Sequence, residues 1–261
     1  FTPYAEATLG VRETHIRFLR EARPGAALYG QAGVIELGES HARILVVLHH
    51  QSGQPAATFQ ILADHATARE LRPFPWPVRI RERLQALAIE VPAFAAARSV
   101  DLSPVVSRAS LPQALELGLM RIGLGVLSPQ DCDVFGRMRP EIFIGRVSDG
   151  VGRLFGETRP GPALAEGEPP PRIGGAVLEY RVLHHDWPRA GQGVEVRSGF
   201  AACDARTRRI IHWLVDPVSG RAWASAEAVV ISFDLDARKV VDISDEALAD
   251  FQARVSPGLT L

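Results

Sequence analysis

Two cysteines, Cys132 and Cys203, are all that 261 residues hold, too few for a disulfide framework and without the spacing of a zinc site. Their scarcity fits a reducing compartment, so a cytoplasmic protein is expected. No apolar run approaches the roughly 18 residues that a membrane span needs, and no charged-then-apolar signal segment opens the chain. Charge of one sign is lacking too. Lys and Arg total 29 against 30 for Asp and Glu, a formal net charge of -1, so no field gathers nucleic acid or anionic lipid. There is no Gly-x-Ser-x-Gly elbow and no phosphate loop ending in Lys-Ser/Thr, and Gly123-x-Gly125 lacks the third glycine of a dinucleotide fingerprint. An initiator methionine is also absent, since the first residue is Phe1.

What is present is an ordinary globular composition, 46% hydrophobic and 23% charged, in a chain long enough for one large core or two of usual size. The chain is organised around Leu127–Gly156. An apolar strand, Leu119–Val126, leads into a short acidic loop and then a helix whose first turn carries Pro140 and Glu141. Phe143, Val147, Val151 and Leu154 put one apolar side on that helix. Gly145, Gly150, Gly152 and Gly156 would each cost an isolated helix about 1 kcal/mol, so close packing against a neighbour is expected.

The rest of the chain reads as a duplication. Strands are expected at Val11–Leu19, Ala27–Leu37, His41–His50 and Ala56–Ala63, with a hairpin at Gln51-Ser52-Gly53-Gln54 and a helix over Val78–Ile89. Strands recur at Val177–His185, Val194–Cys203, Arg208–Val215 and Ala222–Phe233, with a hairpin at Asp216–Gly220 and a short helix at Asp245–Phe251. At an offset of 166 residues Glu13 meets Glu179, Gly25 meets Gly191, and Ile44 meets Ile210. The units are 1–90 and 119–261, joined by a connector, 91–118. The front copy lacks a counterpart of Leu119–Gly156. The expectation is that this opening strand and helix lie before Phe1; failing that, Val78–Ile89 is the element to fill the first sheet.

A strand, a long helix and then four antiparallel strands wrapping it resemble the hotdog fold. Within the acidic loop, Asp131-Cys132-Asp133-Val134-Phe135-Gly136-Arg137-Met138 resembles the D-x-D-x-x-G-H-(V/I) signature of the 4-hydroxybenzoyl-CoA thioesterase-like hotdog proteins. Asp131, Asp133 and Gly136 match, Met138 is an apolar counterpart, and Arg137 replaces the usual His. The topological likeness covers roughly 8–90 and 119–252, the motif about eight positions. The resemblance implies an α+β tandem (double) hotdog that hydrolyses an acyl-CoA or acyl carrier protein thioester in the groove between units. It needs no cofactor beyond the coenzyme A of its substrate, has one competent site per chain, and leaves room for a homo-oligomer of double hotdogs. Alternatives are a hotdog dehydratase or hydratase, which wants an Asp–His couple, and a non-catalytic acyl-thioester-binding protein.

By that resemblance Asp133 is the base or nucleophile, and amides near Gly136–Met138 at a helix N-terminus polarise the thioester. Simple helix capping by Asp131 or Asp133 is the structural alternative. Arg137 stands either to contact a ligand anion or to lie in solvent. Arg206, Arg208 and Arg209 form a basic cluster that would touch the phosphates of coenzyme A, or would simply be solvated. His49-His50 and His184-His185 are adjacent on strands and point to opposite faces, so neither pair chelates, and no metal is expected. Glu13 and Glu179 occupy equivalent places in the two units and read either as neighbours of a site at the unit interface or, the favoured account, as paired edge-strand charge. The aspartates flanking Cys132 would raise its thiol pKa, which argues against a nucleophilic thiolate.

Overall fold

The computed structural model describes residues 6–156, 158, 161–162 and 171–261. Four strands come first: β1 (Ala7–Phe18), β2 (Leu28–Leu37), β3 (His41–His50) and β4 (Pro55–Thr67). After helices α1 (Val78–Ala86) and α2 (Leu111–Glu116), β5 (Met120–Val126) leads through a 3₁₀ turn to α3 (Pro140–Gly150) and α4 (Gly152–Phe155). Then come β6 (Ile173–His184), β7 (Gly193–Cys203), β8 (Thr207–Val215), β9 (Ala222–Asp234), the short β10 (Lys239–Val241) and α5 (Asp245–Ala253). Hairpin glycines with positive φ, Gly53 and Gly220, supply the turn conformation that other residues resist.

All strands join one antiparallel sheet in the order β2-β3-β4-β1-β6-β9-β8-β7-β5, with β10 paired to β9. The halves meet through β1 and β6, and there His15 lies opposite Arg181. Those two residues are 166 apart, the repeat's own offset, so a pseudo-twofold axis passes between them. The remaining strands follow outward in mirrored order. Ile44 faces Val34 as Ile210 faces Phe200, which preserves the offset through β3 and β8. It rises to 167 in β4 and β9, where Ile61 and Ala228 hold equivalent places beside Ile44 and Ile210. The second hairpin is one residue longer.

Alternation gives the sheet two distinct faces. On the inner face of the second half lies α3, whose buried Phe143 and Val147 share a cluster with Ile122, Val196, Ile210 and Ala226. Complete burial of a side chain such as Phe143 stabilises by about 1.5–3 kcal/mol. Of the four helix glycines, Gly150 is the one held close: an added Cβ would collide with the Ile122 carbonyl. Gly145 and Gly152 face open space, and Gly156 takes a positive φ at the helix end, so the expectation that all four are gripped is corrected. In the first half α1 contributes no buried residue. It runs beside the β2 edge, where Val34 donates to Leu87 O and accepts from Ile89 N, and does not fill the first sheet.

Glu13 and Glu179 are not edge charges. Both are buried at the centre of the continuous sheet, on its outer face. Glu179 accepts from His15 Nε2 at 2.7 Å and from the backbone amides of Arg98 and Ser99 at 3.0 and 2.8 Å. Arg181 reaches Glu13 at 3.2 Å and donates to the Ser103 carbonyl at 2.8 Å. Arg17 donates to the carbonyls of Phe94 and Ala96, and Gln60 to that of Ala95. Polar groups at the pseudo-twofold therefore strap the connector across the seam between the halves.

Candidate active site

The acidic loop folds around its own carboxylates. Asp131 closes the 3₁₀ turn by accepting from Ser128 N at 2.9 Å and Ser128 Oγ at 3.0 Å, and Arg146 of α3 adds a contact at 3.2 Å. The Ser128 amide, more than any other group, holds the Asp131 carboxyl below its usual range. Asp133 Oδ1 accepts from the amides of Phe135 and Arg137 at 2.8 and 3.0 Å. Its Oδ2 accepts from Arg137 Nε and Nη2 at 3.3 and 3.2 Å. Gly136 turns the loop with φ +76, and a Cβ there would meet nothing, so the need for glycine is conformational.

The amides expected to polarise a substrate already have partners. Gly136 N–H binds the Asp133 carbonyl, Arg137 N–H binds Asp133 Oδ1, and Met138 N–H binds the Pro188 carbonyl at 2.8 Å. Met138 is a core residue, buried in the cluster beneath α3. Arg137 is not solvated. Its guanidinium lies 4.7 Å above the Phe135 ring, 5% of the residue is exposed, and its Nη1 is enclosed without a partner among the described residues. Burial, then the charge of Asp131, raises the Cys132 thiol pKa, so the flanking acid disfavours a thiolate there.

The basic cluster does not converge, because neighbours on a strand face opposite ways. Arg208 is wholly buried and donates to Ser232 Oγ at 2.9 Å, whereas Arg209 pairs with Glu227 across the outer face. Arg206 lies in the preceding turn, 2.8 Å from Asp242. No common anion site joins the three.

Between the halves, where α3 begins, lies an apolar cleft of about 210 Å³. Thr14 and Ile16 of β1 and Phe59 and Ile61 of β4 form one wall. Pro140, Glu141 and Ile144 of α3 face them, and Val182 and His184 of β6 close the remaining side. Asp133 is not part of this lining; it sits on the loop that leads to Pro140, and that loop docks on the Pro188–Ala190 turn. Glu141 and His184 are the lining residues with ionisable groups, and sequence reasoning assigned neither to a site. One signal for His184 was available: 166 residues earlier stands Phe18, so the second copy has an imidazole where the first has an apolar ring. His185 turns away and meets Ser225 Oγ at 3.0 Å.

Two half-sheets fused through β1 and β6, with a helix on the inner face of the second and a cleft at its start, define a double hotdog. A profile of the thioesterase-like superfamily matches residues 2–84 and 127–251, one segment in each half. The chain belongs to that superfamily, as a tandem of two hotdog repeats. Among solved structures, the 12:0-ACP thioesterase from Umbellularia californica is similar, with a TM-score of 0.62 at 12% identity over 87% of this chain and 74% of that one. An acyl-ACP thioesterase from Bacteroides thetaiotaomicron gives a TM-score of 0.54 at 8% identity, covering 86% and 77%. At these identities the likeness is one of fold. No curated protein matches the chain by sequence. Among the described residues no helix is long and apolar enough to cross a membrane.

Proposed function

We propose that the protein hydrolyses acyl thioesters, with the acyl group in the cleft and the carrier thiol, coenzyme A or an acyl carrier protein, directed outward. The observation that carries this reading is the apolar cleft at the start of α3, on the seam between two repeats of a thioesterase-like superfamily. In the proposed reaction, water adds to the thioester carbonyl carbon as Asp133 removes its proton. The C–S bond then breaks, and the departing thiolate recovers a proton to leave a carboxylic acid and a free thiol. As a nucleophile instead, Asp133 would form an anhydride that water opens.

Asp133 Oδ2 is the oxygen to do this. Its Arg137 contacts of 3.2 and 3.3 Å are longer than a usual charge-assisted bond, while Oδ1 is fixed by two amides. Substrate entry would have Arg137 yield that oxygen to water. The same contacts favour a second reading, an acyl-thioester-binding protein whose carboxylate stays tied and which performs no hydrolysis. Thiol release from a panel of acyl-CoA and acyl carrier protein thioesters separates the two. Asp133→Asn is expected to lower turnover by about 10²-fold or more, the scale of general-base catalysis, with binding retained. Asp131→Asn is expected to matter less. Equal activity in both variants and the native protein would remove Asp133 from the mechanism. Cytoplasmic location and self-association of the double unit belong to the same reading, and fractionation and light scattering test them.

A further inference from the structure

The cleft lining contains one imidazole, and the mechanism above leaves it unused. We propose that His184 donates a hydrogen bond to the carbonyl oxygen of the bound acyl thioester, and that it does so at one site per chain. This rests on the thioester reading of the cleft.

The geometry supplies the argument. His184 ends β6 on the inner face, in register with Ala224, and its ring lies in the cleft wall with Val182 and the first turn of α3. Trp187 stacks on it, 4.3 Å between centroids and 16° between planes, which fixes the ring's orientation. Nδ1 is enclosed and has no hydrogen-bond partner among the described residues. The proton is assigned to Nε2, the ring nitrogen that the described residues do not enclose, so that Nε2–H is the donor that meets a ligand. Burial, and secondarily the neighbouring His185, depress the pKa to about 3, so the ring is neutral throughout the physiological range. A neutral imidazole of such low basicity is a poor proton acceptor but a competent donor. It would stabilise the oxyanion as water adds, without itself losing or gaining a proton.

The backbone amides of Gly136, Arg137 and Met138 are engaged elsewhere, so the carbonyl needs a donor from another element. The pseudo-twofold supplies no second copy of this one. The residue equivalent to His184 is Phe18, which has no donor, so a mirrored cleft would have nothing in that place.

Three proteins decide the matter: the native chain, His184→Phe, which keeps the ring stack on Trp187, and His184→Gln, which restores a donor. Thiol release is measured with each. Binding is measured with two inert coenzyme A analogues, a ketone that keeps the carbonyl and a thioether that lacks it. His184→Phe is expected to lower kcat by about 10²-fold, the effect of deleting one oxyanion donor, with KM little changed. It should weaken the ketone selectively and leave thioether binding as it was. His184→Gln should recover most of both losses. The proposal is overturned if His184→Phe hydrolyses as the native protein does, or if it loses both analogues equally, which marks a structural role. It is also overturned if a pH–rate limb between pH 5 and 8 disappears in His184→Gln, since His184 would then be accepting protons. Should the native chain bind the analogues without hydrolysis, the hydrolase reading fails alone, and the ketone-to-thioether comparison still decides the role of His184. Binding of neither analogue refutes both.

Discussion

Glu179→Ala isolates what holds the seam between the two halves. The carboxylate is 2% exposed and serves three donors: His15 Nε2 at 2.7 Å, Arg98 N–H at 3.0 Å and Ser99 N–H at 2.8 Å. Truncation strands all three. At about 1–3 kcal/mol for each unsatisfied buried donor the loss could reach 9 kcal/mol. The connector can lift and admit water at Arg98 and Ser99, however, so the lower range for breaking a buried pair, about 3–5 kcal/mol, is the expectation. Glu179→Gln keeps one acceptor but turns an amide N–H₂ toward a backbone N–H, and is expected to lose about half as much. Urea unfolding followed by fluorescence measures both, with the slope m unchanged from the native chain. The pH response gives an independent check. Burial works to raise the Glu179 pKa, but the bonds from His15, Arg98 and Ser99 prevail and hold it below 4.5. Its stabilisation is thus complete above the unfolded value and lost as pH falls through the lower folded one. The alanine variant should lack that acid loss. A cost below about 1 kcal/mol for Glu179→Ala would refute the claim that this carboxylate ties the connector to the sheet.

Gly150→Ala is expected to destabilise by about 1–3 kcal/mol despite its better helix propensity, because the new methyl meets the Ile122 carbonyl. Gly145→Ala, on the same helix, faces open space and should gain up to about 1 kcal/mol; thermal melts rank the pair. His212, buried against Ser198 Oγ at 2.7 Å, has its pKa depressed by burial from 6.5 to about 3. Between those values the unfolded chain binds the extra proton, so stability should fall as pH drops below 6.5. In His212→Gln, urea titrations over pH 4 to 7 should show a slope smaller by about one proton.

Much of the fold was legible because it is local. Turn residues such as Gly53 and Gly220 punctuate strands whose lengths and order repeat, and β3 matches its expected range, His41–His50, end for end. The helix start at Pro140 was equally plain. Function was less legible because it depends on contacts between distant segments. That Glu13 and Glu179 are central follows from β1 pairing with β6, and nothing in either strand taken alone announces that partner. The cleft is similar: Ile16, Ile144 and His184 converge from two strands and a helix. The arginine cluster is a different kind of miss, since strand alternation was enough to separate Arg208 from Arg209. In the acidic loop the motif singled out Asp131, Asp133 and Arg137 but not how their hydrogen-bonding groups are already occupied.

The duplication sets where the two halves stay alike and where they differ. Where β1 and β6 form one ladder, Glu13 and Glu179 persist as buried carboxylates that each find a cation or imidazole, although the axial pair itself, His15 and Arg181, differs. On the inner face, Tyr180, His184, Ser198, Arg208 and His212 of the second half stand where the first half has Thr14, Phe18, Ala32, Ala42 and Val46. Four of those five replacements introduce a polar group on a face that packs against α3 or the cleft. A buried polar group costs stability unless it is bonded, and Ser198 with His212, and Arg208 with Ser232, are bonded. Arg208 still leaves Nε and Nη1 without a partner among the described residues, as His184 leaves Nδ1, and of the two His184 is the one whose ring lines the cleft. A sheet built by duplication thus keeps its paired carboxylates where the halves join, and one of the two departures left partly unsatisfied lies against the cleft.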